Sequence, residues 1–237
     1  MMNLKGKVAY ITGGSKGIGF SVAQKLIAQG IKVAISGRVL KTVAQAAVYL
    51  GDDTTVLALA SDVTKLEDEE KAIQDILQKW GQLDIVIANA GVGHFAPVDE
   101  LSEAHWHQMI DTNITGVFNT LKASVAALKK AQGYYMTIAS LAGANFFASG
   151  AGYNATKFAV VGFTQAVMLD LRKYGIKVST IMPGSVATHF NNNEPSDKDA
   201  WKIQPKDIGD LVVDLLQMNP RTLPSKIEVR PTRPDLK

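Results

Sequence analysis

Two side chains one helical turn apart can move a proton. In the stretch YNATK, Tyr153 and Lys157 stand at i and i+4, a spacing that places both on one face of a helix. A surface tyrosine packed along a lysine stem gives the same pattern, so the pair alone decides nothing. Its chemistry, where used, is specific. Reducing a carbonyl takes a hydride at carbon and a proton at the developing alkoxide, and a phenol is a suitable acid. A free phenol titrates near 10, and bringing it to neutrality takes ~4 kcal/mol. One cation at about 4 Å, in an effective dielectric near 20, supplies that order of energy. Lys157 is therefore expected to lower the pKa of Tyr153.

A second stretch, TGGSKGIG at 12–19, suits phosphate. Gly13, Gly17 and Gly19 allow a tight turn and close approach of the backbone to a diphosphate at a helix N-terminus. The spacing is T-G-x-x-x-G-x-G, wider than the common G-x-G-x-x-G. The same letters hold a rival, since Gly13-Gly14-Ser15-Lys16-Gly17 satisfies the G-x-S-x-G of a hydrolase nucleophile elbow. That reading makes Ser15 a nucleophile with Asp170 and His189 as partners. It puts the elbow on the first strand, with little chain ahead to build an oxyanion loop, and leaves Gly19 and the Tyr/Lys pair unused. A Walker loop fails because no Gly-Lys-Ser/Thr follows at the needed spacing.

The elements that must position these residues alternate along the chain. Strand-length apolar runs stand at 8–12, 32–36, 54–59, 83–88, 134–139, 177–182 and 226–230, with helical segments near 17–29, 40–50, 65–80, 103–131, 152–174 and 205–218. Several runs are continuous in Val, Ile and Leu, as in a parallel sheet buried on both faces. The pattern predicts a single α/β domain over 1–237, a Rossmann-like doubly wound parallel sheet of about seven strands with helices on both faces. The polar stretch NNNEPSDKDA at 191–200 predicts a mobile loop over a site.

Bulk numbers exclude more than they assign. At 237 residues the chain can bury a large core without disulfides, and it has no cysteine, which removes a thiolate metal site and a cysteine nucleophile. The net charge of +3, from 25 basic and 22 acidic residues, comes without basic clusters, so nucleic acid is not an expected partner. No apolar run is long enough to span a membrane, and the start lacks the apolar stretch of a signal peptide. A cytoplasmic protein is expected. His105 and His107 flank Trp106 and do not share a helix face, so no metal is expected. The run Glu67-Asp68-Glu69-Glu70 opens a helix, where acids favour the positive dipole end, and reads as a solvated face.

With TGGSKGIG at 12–19, NAG at 89–91, Ser140 and YNATK at 153–157, the chain resembles the short-chain dehydrogenase/reductase family. Asp62-Val63, Asn113 and Pro183-Gly184 extend the resemblance, which runs from about residue 5 to residue 190. It implies a nicotinamide cofactor and interconversion of a carbonyl and a secondary alcohol, as in 3-oxoacyl or carbonyl reductases. The catalytic set it implies is Asn113, Ser140, Tyr153 and Lys157, with Ser140 holding the substrate oxygen and Asn113 holding a water that relays protons to Lys157. Cofactor contacts are implied at Gly13, Ser15, Lys16, Gly17, Ile18 and Gly19 in the first turn. Further contacts are implied at Gly37 and Arg38, at Asp62 and Val63 beside the adenine, and at Asn89, Ala90 and Gly91 beneath the ribose. Tyr153, Lys157, Pro183, Gly184, Val186 and Thr188 complete the implied contacts.

The cofactor expected is NADP(H). NAD sites usually place an acid at the end of the second strand to bind the ribose 2′-hydroxyl; here that position is Gly37, followed by Arg38. A guanidinium suits a 2′-phosphate, being planar, always charged and bidentate, and Lys16 adds a second charge. His94, Phe95, Phe147 and His189 are candidates for the wall of a substrate pocket. The competing reading is a non-catalytic dinucleotide-binding protein on the same fold. Apolar residues on more than one face of the helices at 103–131 and 152–174 predict a homodimer or homotetramer. The ending KIEVRPTRPDLK departs from the Gly/Asp-rich ending often seen in tetrameric members of the family.

Overall fold

Alternation along the first strand explains the layering. In β1 (Val8–Thr12), Ala9 and Ile11 join one apolar cluster while Val8 and Tyr10 join another, because successive side chains point to opposite faces. Both faces are covered, so the strand is buried along its whole length and an alternating polar pattern would be penalised. The computed structural model describes residues 4–233; the expected domain ends and the last four residues of KIEVRPTRPDLK lie outside the described residues.

Seven parallel strands form one sheet in the order β3-β2-β1-β4-β5-β6-β7. The others are β2 (Lys32–Gly37), β3 (Val56–Ala60), β4 (Ile85–Ala88), β5 (Tyr134–Ile138), β6 (Lys177–Pro183) and β7 (Lys226–Val229). On one face lie α1 (Gly17–Ala28), α2 (Leu40–Leu50) and α7 (Pro205–Gln217), through residues such as Val22, Leu26, Val43 and Val212. On the other lie α3 (Leu66–Trp80), α5 (Gly116–Ala131) and α6 (Ala151–Leu171), through Ile73, Ile76, Leu121, Val160 and Val167. Each such side chain contributes about 1.5–3 kcal/mol by leaving water. The order reverses between β1 and β4, so a crevice opens there at the carboxyl ends of the strands.

Two expectations need correction, and a third, the loop, gains detail. The helix expected at 103–131 is interrupted: α4 (Glu103–Ile110) passes into a π turn at Asp111–Thr115 before α5 begins. Gly116 N–H bonds Asp111 O across that turn. The loop at 191–200 contains short 3₁₀ turns at Phe190–Asn192 and Asp197–Asp199, the latter closed by a capping box from Ser196. The acidic run is not wholly solvated, because Glu69 is 0% exposed. Its Oε1 accepts from Tyr10 Oη (2.8 Å) and Ser61 Oγ (2.5 Å), while Oε2 has no hydrogen-bond partner among the described residues. Desolvation raises its pKa, against the hydrogen bonds from Ser61 and Tyr10 that lower it.

Candidate active site

Tyr153 lies in the first turn of α6 with Lys157 one turn on. Lys157 is 6% exposed, and its Nζ donates to Ile138 O (3.1 Å) and lies 5.6 Å from the centre of the Tyr153 ring. The end of β5 thus anchors the ammonium beside the phenol. Ser140, two residues beyond β5, accepts from Ala142 N–H (3.1 Å) and donates to Pro183 O (3.4 Å). It caps a short 3₁₀ turn at Leu141–Gly143, and its hydroxyl favours the ionised form of the Tyr153 phenol.

Electrostatics overturn one expectation. Burial pushes Tyr153 up to about 12, opposed by the Ser140 hydroxyl. Burial likewise pushes Lys157 down to about 8. The Coulomb argument for a lysine-lowered phenol left out desolvation, which acts here on both groups and is the leading cause of both shifts. In the protein alone Tyr153 is a neutral proton donor, and Lys157 stays mostly charged only below about 8.

Asn113 sits in the π turn, a break frequent at functional sites. Its Oδ1 accepts from Val92 N–H (2.8 Å), and its Nδ2 donates to Val92 O (2.8 Å) and Thr156 Oγ1 (3.0 Å). The amide therefore clamps the segment after β4 against α6. A Cβ on Gly91 would lie 3.2 Å from Asn113 Oδ1 and 3.8 Å from Lys157 Nζ, which places Gly91 beside both groups.

The glycine turn fits a dinucleotide on this structure's own geometry. Gly13 and Gly17 have φ of +64° and +59°, favoured by glycine. A Cβ on Gly19 would lie 2.6 Å from Asn89 Nδ2 and 2.7 Å from Gly13 O. Asn89 Nδ2 donates to Thr12 O (2.9 Å) and Gly13 O (3.1 Å), tying β4 to the turn after β1. Lys16 caps α1 with no side-chain bond, and the first turn carries no acid, so its amide groups face an approaching anion unopposed.

Other predicted residues gather at the same sheet edge. Exposed Arg38 follows Gly37 at the end of β2. Asp62 Oδ1 accepts from Thr64 N–H and Oγ1. Val63 is mainly core: it is buried, and its carbonyl accepts from Asn119. Ala90 N–H donates to Thr12 Oγ1. Gly184 N–H bonds Val229 O, and Val186 pairs with Ile203 in an isolated bridge. Thr188 approaches Gly17, 3.5 Å from where a Cβ would stand, while Ile18 packs against the core beneath the turn.

The nominated pocket residues divide. Phe95 meets the Tyr153 ring edge-on at 5.3 Å, and Phe147 meets Phe95 at 5.7 Å. His94 instead stacks on His105 (3.9 Å, 4°), and its Nε2 bonds Gln108 Oε1, so its ring is held by α4. His189 is exposed, and its neighbour Phe190 packs on Tyr153 at 5.7 Å. Phe190 was missed because nothing marks one aromatic in a polar loop as inward-facing. The hydrolase triad falls apart: Asp170 closes the far end of α6, about 25 Å along the helix from Tyr153. Among the described residues no three His, Asp or Glu side chains group to hold a metal, and no helix is long and apolar enough to cross a membrane.

A family profile described as short chain dehydrogenase matches residues 7–199. An uncharacterized oxidoreductase of Staphylococcus saprophyticus is 34% identical over 238 residues, spanning 98% of this chain and 100% of its own. Another, from Staphylococcus aureus, is 35% identical over 233 residues with the same coverage. Among solved structures, an alcohol dehydrogenase from the archaeon Thermococcus sibiricus, complexed with 5-hydroxy-NADP, is similar at TM-score 0.90 and 31% identity, covering 97% of this chain and 99% of that one. A 3-ketoacyl-(acyl-carrier-protein) reductase from Brucella melitensis, complexed with NADH, follows at TM-score 0.89 and 26% identity, with coverage of 97% and 99%.

Proposed function

The chain belongs to the short chain dehydrogenase family, and on that premise we propose that it is an NADP(H)-dependent oxidoreductase interconverting a carbonyl and a secondary alcohol, with Tyr153 as general acid and base. The observation that carries this reading is the grouping of half-buried Ser140 and Tyr153 with buried Lys157 at the crevice, beside a glycine turn whose Gly13 and Gly17 have positive φ. The nicotinamide supplies or accepts the hydride.

The residues of the chain handle the proton. Ser140 holds the substrate oxygen against the Tyr153 hydroxyl, where charge develops. Tyr153, neutral at physiological pH, donates to that oxygen in reduction. Lys157 steadies the tyrosinate that forms, and its pKa of about 8 lets it pass a proton near neutrality. The Asn113 amide is committed to Val92 and Thr156, so holding a relay water falls to its main-chain carbonyl, in the π turn where the usual i+4 pairing is displaced.

Arg38 and Lys16 support NADP(H) over NAD(H). A charge-assisted hydrogen bond to a 2′-phosphate is worth about 1.5–3 kcal/mol, or roughly tenfold to a hundredfold in affinity. Fluorescence titration should show NADPH binding tighter than NADH by about that factor. Gly37→Asp with Arg38→Leu should reverse the order, although the new Cβ at position 37 must displace Val43 Cγ2 from 3.0 Å. Equal affinities in the unmodified protein would refute the preference. NADPH oxidation against a carbonyl panel tests the reaction, and a Tyr153→Phe protein that turns over as fast would end the acid/base assignment. No turnover by cofactor-bound protein would leave the non-catalytic reading in place.

A further inference from the structure

Three phenylalanines from three separate loops cluster at Tyr153, two of them against its ring and the third against Phe95. Phe95 follows β4, Phe147 follows β5 and Phe190 follows β6, so each stands beyond the carboxyl end of its strand. Phe95 is the hub, edge-on to Tyr153 (5.3 Å, 80°) and to Phe147 (5.7 Å, 66°). Phe190 tilts against Tyr153 at 5.7 Å and against Phe95 at 6.5 Å. These are arrangements that the ring quadrupole favours. Gly93 makes the space: a Cβ there would stand 2.6 Å from Phe190 Cζ and 3.2 Å from Phe95 Cζ.

Phe95 and Phe147 nevertheless keep 41% and 48% of their surface exposed. Packing for stability alone would bury large aromatic rings. Rings held against the phenol and still open to solvent offer a surface to another flat apolar group. Resting on the reading proposed above, we infer that the substrate is an uncharged carbonyl compound with an aryl or comparably flat conjugated group beside the reacting carbon. In reduction this is an aryl ketone, and in oxidation a secondary benzylic alcohol.

The step balances. Hydride from the reduced nicotinamide forms the new C–H bond, the carbonyl π pair moves to oxygen, and Tyr153 supplies the proton; the ketone is reduced by two electrons and the cofactor oxidised by two. A saturated ring of the same carbon count keeps the hydrophobic contribution but has neither a π face nor a positive edge. A polyhydroxylated substrate would press unsatisfied hydroxyls against phenylalanine rings.

The test compares acetophenone with cyclohexyl methyl ketone in NADPH-dependent reduction by the full chain. We expect kcat/KM to favour the aryl ketone at least tenfold, and the ratio to fall toward unity in Phe95→Leu and in Phe190→Leu. Equal rates in the unmodified protein, or a preference that survives both substitutions, overturns the inference. Calorimetric titration of both ketones into Tyr153→Phe protein saturated with NADP+ separates this from the underlying reaction. Tighter aryl binding without turnover in the unmodified protein keeps the aromatic pocket and sinks the proposed chemistry. Turnover of both ketones, with no difference in binding, sinks the pocket and leaves the chemistry standing.

Discussion

Lys157 is held where an ammonium is disfavoured, at 6% exposure with Ile138 O as its anchor. Its folded pKa of about 8 lies below the unfolded value of about 10.4. Between those values the unfolded chain binds more protons, so stability rises with pH across that window and is lowest where the lysine is charged. The difference corresponds to on the order of 3 kcal/mol at neutral pH. Lys157→Met should therefore raise the unfolding temperature at pH 7 by several degrees and remove the stability gain between about 8 and 10.4. An unchanged or lower melting temperature at pH 7 would show that the charge is not disfavoured. The same variant tests the chemistry through the pH profile of alcohol oxidation, which needs the tyrosinate. With Tyr153 near 12 and Lys157 neutral above about 8, losing the ammonium should slow oxidation below about 8, where the native lysine is charged, and leave the rise at higher pH in place. An identical profile would mean that Lys157 does not tune Tyr153.

At the scale of elements, most positions were legible and the departures have physical causes. Apolar runs marked all seven strands, several of them continuous because both sheet faces are covered there, whereas β7 at the sheet edge alternates between exposed and half-buried residues. β3 begins at Val56 rather than at 54, since Thr54 and Thr55 are tied to the Asp52 carboxylate in a turn. The π turn at Asp111–Thr115 was invisible because one widened turn barely alters the apolar period around it. Glu69 was misread because its burial depends on Tyr10, Ser36 and Ser61, which belong to other strands or their ends. That network ties β1, β2 and β3 to α3 beneath the expected adenosine side of the site. A carboxyl raised by desolvation keeps its proton above the ordinary carboxylate range. The folded state then binds more protons in that range, so Glu69 takes stability away as pH rises through it. Glu69→Gln should flatten this decline in a urea-unfolding series run upward from the ordinary carboxylate value of about 4.3. A variant with the same slope as the native protein would rule out Glu69 as its source.

At the scale of the molecule, the helices that carry the site also present apolar surface that the sheet does not use. Val117, Leu121, Val160 and Val167 are buried against the strands, which accounts for one face of α5 and one of α6. Phe118 and Phe158 remain 47% and 38% exposed, and Phe146, stacked on Phe158 at 5.2 Å, is 81% exposed. Phe146 and Phe158 border an open groove of about 540 Å³, lined also by Val98, Ala151 and Ala155. Ala151, Ala155 and Phe158 lie on the side of α6 away from Tyr153, at the i, i+4, i+7 spacing of a single stripe, while Phe147 lines this groove as well as meeting Phe95, so the groove adjoins the substrate side. Contiguous apolar patches of this kind mark interaction sites in soluble proteins, and a two-fold pairing satisfies the same patch on both copies. We expect a homo-oligomer of at least two chains. Sedimentation velocity at micromolar concentration should report a dimer or larger species, and Phe158→Glu with Phe118→Glu should shift it to monomer. A native protein that sediments as a monomer would remove the case for pairing, and a doubly substituted protein that stays associated would place the interface elsewhere.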